Sequence, residues 1–411
     1  MRKVVLVSLD AFFVADTERI DPQGFLAGML REGAFCRRVE TIFPALTYPI
    51  HVTMVTGCEP DKTGVGQNQP PQPGVPKADR VWYWERKHIR VPTLFEAVKE
   101  AGGQSCSIFW PVNCRNRSVR WCMPEVHPIR GENAVLKALR FGTPLYALEA
   151  EKRLGHLRKG IQEPYLSNFA AGLAADTVRR CRPDFTAVHL IDLDEARHRR
   201  GTFSDEAMAA LGRNDRRLET IWQALRETSG MENALLIAVS DHGQEDIRET
   251  VNLTRKLKET GLDRTLFVQS NGMSACFFPR EGATPASLDP AALLPPEKWK
   301  EMGISRLYTR EELDRMHAVA GPLFAAEAAE GVVFSDALDE EKREAATHGF
   351  GPGREADLCL FAVYGKGVRK GTEIPAMKMR DVGPTIAGLM GLRLPLADGT
   401  DRSAEFIFPQ A

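Results

Sequence analysis

Ala234-Leu235-Leu236-Ile237-Ala238-Val239-Ser240-Asp241-His242-Gly243 decides how this chain reads: an apolar run of strand length stops at an adjacent carboxylate and imidazole, then a glycine. A continuous apolar run this short, closed by turn residues, is the signature of a strand buried on both faces. Three more runs have this form. Val4 to Leu9 ends in Asp10, Phe185 to Ile191 ends at Asp192 and Asp194, and Leu358 to Val363 ends at Tyr364-Gly365-Lys366-Gly367. Between them lie helical stretches, Phe25 to Glu32, Ser167 to Arg180 and Asp215 to Arg226. Parallel strands alternating with helices predict a doubly wound α/β fold, a mostly parallel sheet with helices on both faces. In such sheets ligands bind in the crevice beyond the carboxyl ends of the strands, so the polar residues ending these runs are the candidates for chemistry.

Composition narrows the classes. The 411 residues carry 54 basic and 55 acidic side chains, a formal charge of -1, which excludes the cationic balance of a nucleic-acid polymer binder. No apolar run approaches the roughly 20 residues of a membrane-spanning helix, so no membrane partner is expected. The start, MRKVVLVSLDAFF, reads as a first strand rather than an export signal, because Asp10 interrupts its apolar stretch. The eight cysteines contain no C-x-x-C pair, which suits reduced thiols in a cytoplasm. The spacing of Cys106, Cys114 and Cys122 matches no common zinc module. Two stretches break the strand-helix rhythm as surface excursions, Gln67 to Lys77 and about 281 to 312. The expected organisation is one α/β catalytic domain over 1–411, with 251–345 as a smaller insertion or cap.

Four segments hold the chemistry-bearing residues. Asp241 and His242 close a buried strand. Asp194 and His198 stand in a D-x-x-x-H spacing that brings both side chains to one side if the chain turns helically, and Asp192 competes with Asp194 for that role. His348 sits in the glycine-rich turn His348-Gly349-Phe350-Gly351. Thr47 lies between two prolines in Phe43-Pro44-Ala45-Leu46-Thr47-Tyr48-Pro49-Ile50-His51, at a corner suited to presenting a hydroxyl, although a helix-capping threonine explains it too. Asn68 follows a turn-rich stretch. Asp10, Asp241 and His242 form one set of three ligands, and Asp194, His198 and His348 another. Catalytic zinc takes three protein ligands and keeps a fourth position open, which Thr47 can fill. Two such ions against three aspartates leave about one net positive charge, suited to an anion such as a phosphodiester.

This set resembles the alkaline phosphatase superfamily, and most closely its nucleotide pyrophosphatase/phosphodiesterase branch, across most of the chain. Asp10, Thr47 in FPALTYPIHVTMVTG, Asn68, Asp194 with His198, Asp241 with His242, and His348 with Gly349 appear in the family's order, as do the Arg380-Asp381-Val382-Gly383-Pro384-Thr385-Ile386 segment and Ile108-Phe109-Trp110-Pro111. The resemblance implies an alkaline phosphatase-like fold and two divalent metal ions, zinc by default, with Mn or Fe also compatible with an Asp/His set. It implies one ion on Asp194, His198 and His348, and the other on Asp10, Asp241 and His242 beside Thr47. It implies that Thr47 attacks phosphorus through a phosphothreonine intermediate with net retention. Asn68 and the Thr47 N–H then donate to a nonbridging oxygen, and Tyr48 flanks the base or aryl group of a nucleotide or other small phosphodiester.

Two departures bear on substrate. Arg197 replaces the usual glycine before the second-site histidine, in an unusually cationic DEARHRRG run. Thr47 is followed by Tyr48 rather than by the arginine of phosphate monoesterases, which favours diesters. The rival readings are a hydrolase similar to phosphonoacetate hydrolase, kept open by Lys87 in Arg86-Lys87-His88, then a phosphomonoesterase, then a non-catalytic metal-binding homologue. His51, His88, His127, His156, His189 and His317 are expected in structural or surface places.

Overall fold

The computed structural model describes residues 1–282, 289–338 and 344–408. Residues 283–288 and 339–343 of the expected cap lie outside the described residues. A nine-stranded sheet runs in the order Thr372–Glu373, Ala34–Glu40, Leu358–Tyr364, Leu235–Val239, Val4–Leu9, Phe185–Leu190, Ser105–Ile108 and Trp121–Met123, and Met377–Lys378 also pairs with Ala34–Glu40. Each central strand divides its side chains by period two. Val5, Val7 and Leu9 join one apolar layer with Leu236, Ala238 and Leu190, under the helices Phe25–Glu32, Tyr165–Cys181 and Asp205–Glu227. Val4 and Leu6 join the opposite layer with Leu235, Ile237 and Phe361, under Thr47–Thr56, Leu94–Glu100 and Met379–Met390. Both faces are covered, which is why these strands are mostly apolar rather than alternating apolar and polar.

Leu358–Tyr364 corrects one expectation. It pairs antiparallel with both Leu235–Val239 and Ala34–Glu40. The chain enters this strand from the crevice side, so its first residues lie near the site and Tyr364-Gly365-Lys366-Gly367 lies at the far end. Val4–Leu9 pairs in parallel with Phe185–Leu190 and Leu235–Val239, which brings Asp10, Asp194 and Asp241 to one edge.

Beyond that edge stands a four-stranded sheet in the order Ile304–Tyr308, Phe324–Ala328, Ser274–Pro279 and Leu266–Ser270. Its apolar side, with Phe277 stacked on Phe324 at 4.6 Å, packs in one cluster with Phe13, Ala45 and Phe350 of the main unit. Gly349 has φ +89°, and a Cβ there would fall 1.6 Å from the Asn271 carbonyl oxygen, so only glycine lets this sheet seat against the His348 turn.

One buried acid carries a pH-dependent prediction. Burial, then the charge of Asp192, push Glu163 up to about 7, while Ser167 N–H and Oγ donate to its carboxylate. A carboxyl raised above its unfolded value contributes stability below pH ~4.5 that is lost as pH rises through about 7. Glu163→Gln keeps an acceptor and removes the charge. Its thermal midpoint should exceed that of the wild type at pH 8 and match it at pH 5; equal differences at both pH values would refute the assignment.

Candidate active site

Thr47 is the first residue of the helix Thr47–Thr56, and Leu46, not Thr47, occupies the capping position. The capping explanation for the hydroxyl therefore falls away. Pro49 is tolerated because first-turn N–H groups have no intrahelical acceptor. Thr47 Oγ1 lies 3.2 Å from His242 Nε2. The Tyr48 N–H donates to Asn68 Oδ1 at 3.0 Å, which fixes the orientation of the Asn68 amide and leaves its NH2 group for the crevice that Asn68 lines.

Around this hydroxyl the structure gathers the expected carboxylates and imidazoles. Asp194, His198 and His348 present ligand atoms within 4.8 Å of one another, and so do Asp10, Asp194 and His242. Asp194 thus stands in both groups. Asp241 approaches through Oδ2, 3.2 Å from His242 Nε2, while its Oδ1 accepts from the N–H groups of Ala11 and His242. Asp194 and His198 are 3.3 Å apart, one turn apart on the helix Asp192–Arg200. Asp192 is placed differently: Arg213 and Arg217 hold it at 2.6–2.8 Å, whereas Asp194 faces His198.

These residues fit divalent cations on three grounds. The three histidines use Nδ1 on carbonyl oxygens, His242 on Gly243 at 3.2 Å, His198 on Ala346 at 3.0 Å and His348 on Ala45 at 2.8 Å. A carbonyl only accepts, so Nδ1 carries a proton in each ring and Nε2 is the atom turned towards the carboxylates, the orientation that metal ligation through a neutral imidazole needs. Asp10 Oδ1 and Asp241 Oδ2 are buried without a hydrogen-bond partner. Burial, then Asp241 and Asp194, push Asp10 well above the usual carboxylate range. Among the described residues no Lys or Arg forms an ion pair with Asp10, Asp194 or Asp241, and only imidazoles face these three clustered carboxylates.

Several expectations are revised. Tyr48 is 1% exposed and packs beneath Trp82 at 5.2 Å; Trp82, not Tyr48, lines the crevice, because the helix turns Tyr48 into an apolar cluster with Val52 and Trp84. Arg197 does not charge the site. Its guanidinium is fully buried, donates to Asp16, Ala11 O and Thr202 O, and lies over Phe13. Arg199 and Arg200 pair outward with Glu195 and Glu206. Lys87, on which the phosphonate reading leaned, is exposed and pairs with Glu85. The crevice is about 740 Å³ and is lined by Asn68, Trp82, His198 and His348 together with Asn252, Arg255, Gln269 and Asn271.

Two histidines that were given structural places touch the site. The His51 Nδ1–H donates to Thr47 O at 2.8 Å and Ser8 Oγ to its Nε2 at 2.9 Å, and burial, then His189, lower His51 to about 3, so it stays neutral. His189 joins Asp10 to Glu125. Gln244 Nε2 donates to Asp194 Oδ1 at 2.5 Å. The only sequence sign of these was a histidine inside the apolar run Phe185 to Ile191; Glu125 had none.

Residues 4–351 match the type I phosphodiesterase/nucleotide pyrophosphatase family. The chain belongs to that family. Relatives within it include ectonucleotide pyrophosphatase/phosphodiesterase family member 1 of Homo sapiens, 23% identical over 254 residues, 59% of this chain and 23% of that protein. A venom phosphodiesterase of Macrovipera lebetinus is 22% identical over 253 residues, 59% of this chain and 26% of its own length. The chain spans about a quarter of the length of these curated relatives. The structure of murine ectonucleotide pyrophosphatase/phosphodiesterase 5, inactive through a threonine-to-alanine substitution and in complex with AMP, superposes with a TM-score of 0.73 at 18% identity, covering 99% of this chain and 100% of that one. This likeness establishes the alkaline phosphatase-like α/β fold. No helix among the described residues is long and apolar enough to cross a membrane.

Proposed function

We propose that this member of the phosphodiesterase/nucleotide pyrophosphatase family hydrolyses small phosphodiesters or phosphoanhydrides, nucleotides first among them, through a phosphothreonine intermediate on Thr47. The observation that carries the reading is a helix-start hydroxyl 3.2 Å from His242 Nε2, beside three imidazoles whose Nδ1 atoms are held by carbonyls and two carboxylate oxygens, Asp10 Oδ1 and Asp241 Oδ2, without hydrogen-bond partners. Asp194, His198 and His348 would hold one divalent cation, and Asp10, Asp241 and His242 the other, with Asp194 near both. Bound there, the cations would supply the positive charge that lowers the pKa of the Thr47 hydroxyl and stabilises the attacking and leaving oxygens. Zinc is our reading of their identity, from the mixed Asp/His set.

The chain's own residues do the rest. Thr47 Oγ1 releases its proton to solvent and bonds to phosphorus, and the opposite P–O bond breaks, freeing the leaving alcohol or phosphate. Water then cleaves the phosphothreonine ester and restores the hydroxyl. The Asn68 amide and the Thr47 N–H donate to a nonbridging oxygen where charge accumulates. The His51 bond to Thr47 O and the Tyr48 bond to Asn68 hold both groups in register. Trp82 offers an aromatic face to a base, and a crevice of about 740 Å³ has room for a nucleotide. AMP in the murine structural relative, and the loss of activity on replacing its threonine, support testing nucleotides first.

We read the chain as one catalytic unit over 1–411 with a cap within 251–345, and place it in the cytoplasm because all eight cysteines are free and seven are buried. Zinc-loaded protein should turn over bis(p-nitrophenyl) phosphate at least about tenfold faster in kcat/KM than p-nitrophenyl phosphate, roughly 1.4 kcal/mol at the transition state. Chelated protein should turn over neither. A monoester preference would overturn the diester assignment.

A further inference from the structure

Behind Asp10 lies a buried polar chain that the reaction itself does not use. His189 Nε2 is 2.8 Å from Asp10 Oδ2, and His189 Nδ1 is 2.8 Å from Glu125 Oε2. The side chains of Asp10, His189 and Glu125 are 3%, 1% and 8% exposed, so this is interior structure. The base of His189 is set by the sheet, because Ser8 pairs with His189 in the parallel register of the two central strands. Glu125 comes from elsewhere. It follows Trp121–Met123 at the sheet edge, two strands beyond Phe185–Leu190, and reaches inward to the ring.

The direction of these bonds matters. With Oδ2 occupied by His189, Oδ1 is the oxygen of Asp10 without a partner, and it lies 3.5 Å from His242 Nε2. A buried carboxylate such as Glu125, without a Lys or Arg at its oxygens among the described residues, is costly unless it does something there. Here its Oε2 meets His189 Nδ1 on the side of the ring opposite Asp10, a contact placed to fix the ring plane and, through it, the rotamer of Asp10. Asp194, in the neighbouring group, has its own orienting donor in Gln244 and does not depend on this chain.

We propose that Glu125, acting through His189, is a positioning residue that aims Asp10 Oδ1 at one of the two cations, so that removing the Glu125 acceptor weakens one cation site and spares the other. This rests on the two-cation reading above. Partners of this kind typically change metal affinity about 10–100-fold.

The test is titration of Zn2+ into the chelated full-length chain, for the wild type, Glu125→Met and Glu125→Gln. The wild type should bind two ions. Glu125→Met, similar in volume but without an acceptor, should lose about 10–100-fold in affinity for one ion and stay within about threefold for the other. Glu125→Gln keeps an oxygen for the Nδ1–H and should remain within about fivefold of the wild type at both. Thermal midpoints in chelator check that the compared proteins are folded, and Glu125→Ala supplies a second acceptor-free variant with the same selective loss expected. Unchanged binding in the acceptor-free variants, parallel weakening of both ions, or a Gln variant as weak as Met would overturn the proposal. A wild type that binds no pair of ions would instead overturn the metal reading itself.

Discussion

Thr47→Ala should abolish diester turnover, lowering kcat by roughly 10⁴–10⁶-fold, the scale seen when a nucleophile is removed from an otherwise intact site. The loss should be chemical rather than structural. Leu46 is the capping residue and alanine is a strong helix former, so the helix Thr47–Thr56 keeps its start and its packing against Met379–Met390. The thermal midpoint and the binding of two cations should stay close to wild type. Thr47→Ser, which retains the hydroxyl, should recover most of the rate. Loss of turnover together with loss of both cations would instead make Thr47 a scaffold residue, and turnover retained within tenfold would remove it from the mechanism.

Arg197→Met should be the most destabilising single change away from the site, by about 3–5 kcal/mol, because it strands the fully buried Asp16 without its partner. The same guanidinium donates to Ala11 O, in the turn just after Asp10, so the loss also frees that turn. Burial, against the pull of Arg197, already raises Asp16 above the usual carboxylate range. Without Arg197 it should rise further. A raised carboxyl favours the folded state at low pH and disfavours it as pH climbs, so the penalty should be smaller at pH 5 than at pH 8. Adding Asp16→Asn to Arg197→Met should recover part of the loss, since the buried charge disappears. A destabilisation below about 1 kcal/mol at pH 8 would contradict the ion-pair account.

The parts of the fold that sequence reveals are those governed by local pattern. Val4–Leu9, Phe185–Leu190 and Leu235–Val239 are buried on both faces and read as nearly continuous apolar runs, interrupted by Ser8, Thr186 and His189; the D-x-x-x-H spacing becomes one helical turn in Asp192–Arg200. Strand direction is not local. Leu358–Tyr364 has the same apolar form but runs antiparallel, because its direction depends on where the chain returns from the four-stranded sheet. Side-chain partners are not local either. Asp192 and Asp194 differ only in whether Arg213 and Arg217 reach them, and Arg197 sits in a cationic run yet points into the interior toward Asp16. Tyr48 follows the nucleophile in sequence, but the helix turns its ring away from the crevice, leaving Trp82 from a distant loop to line it. Glu125 meets His189 across 64 positions from an irregular segment, with no periodicity to announce it. In each case the missing information is a long-range contact.

The stereochemical course at phosphorus tests the central claim most directly. Hydrolysis of a P-chiral phosphorothioate diester by the metal-loaded protein, run in isotopically labelled water, reports whether phosphorus is displaced once or twice. Attack by Thr47 followed by water gives two inversions, so net retention is expected. Net inversion would mean that water attacks phosphorus directly, and would contradict a covalent intermediate on Thr47.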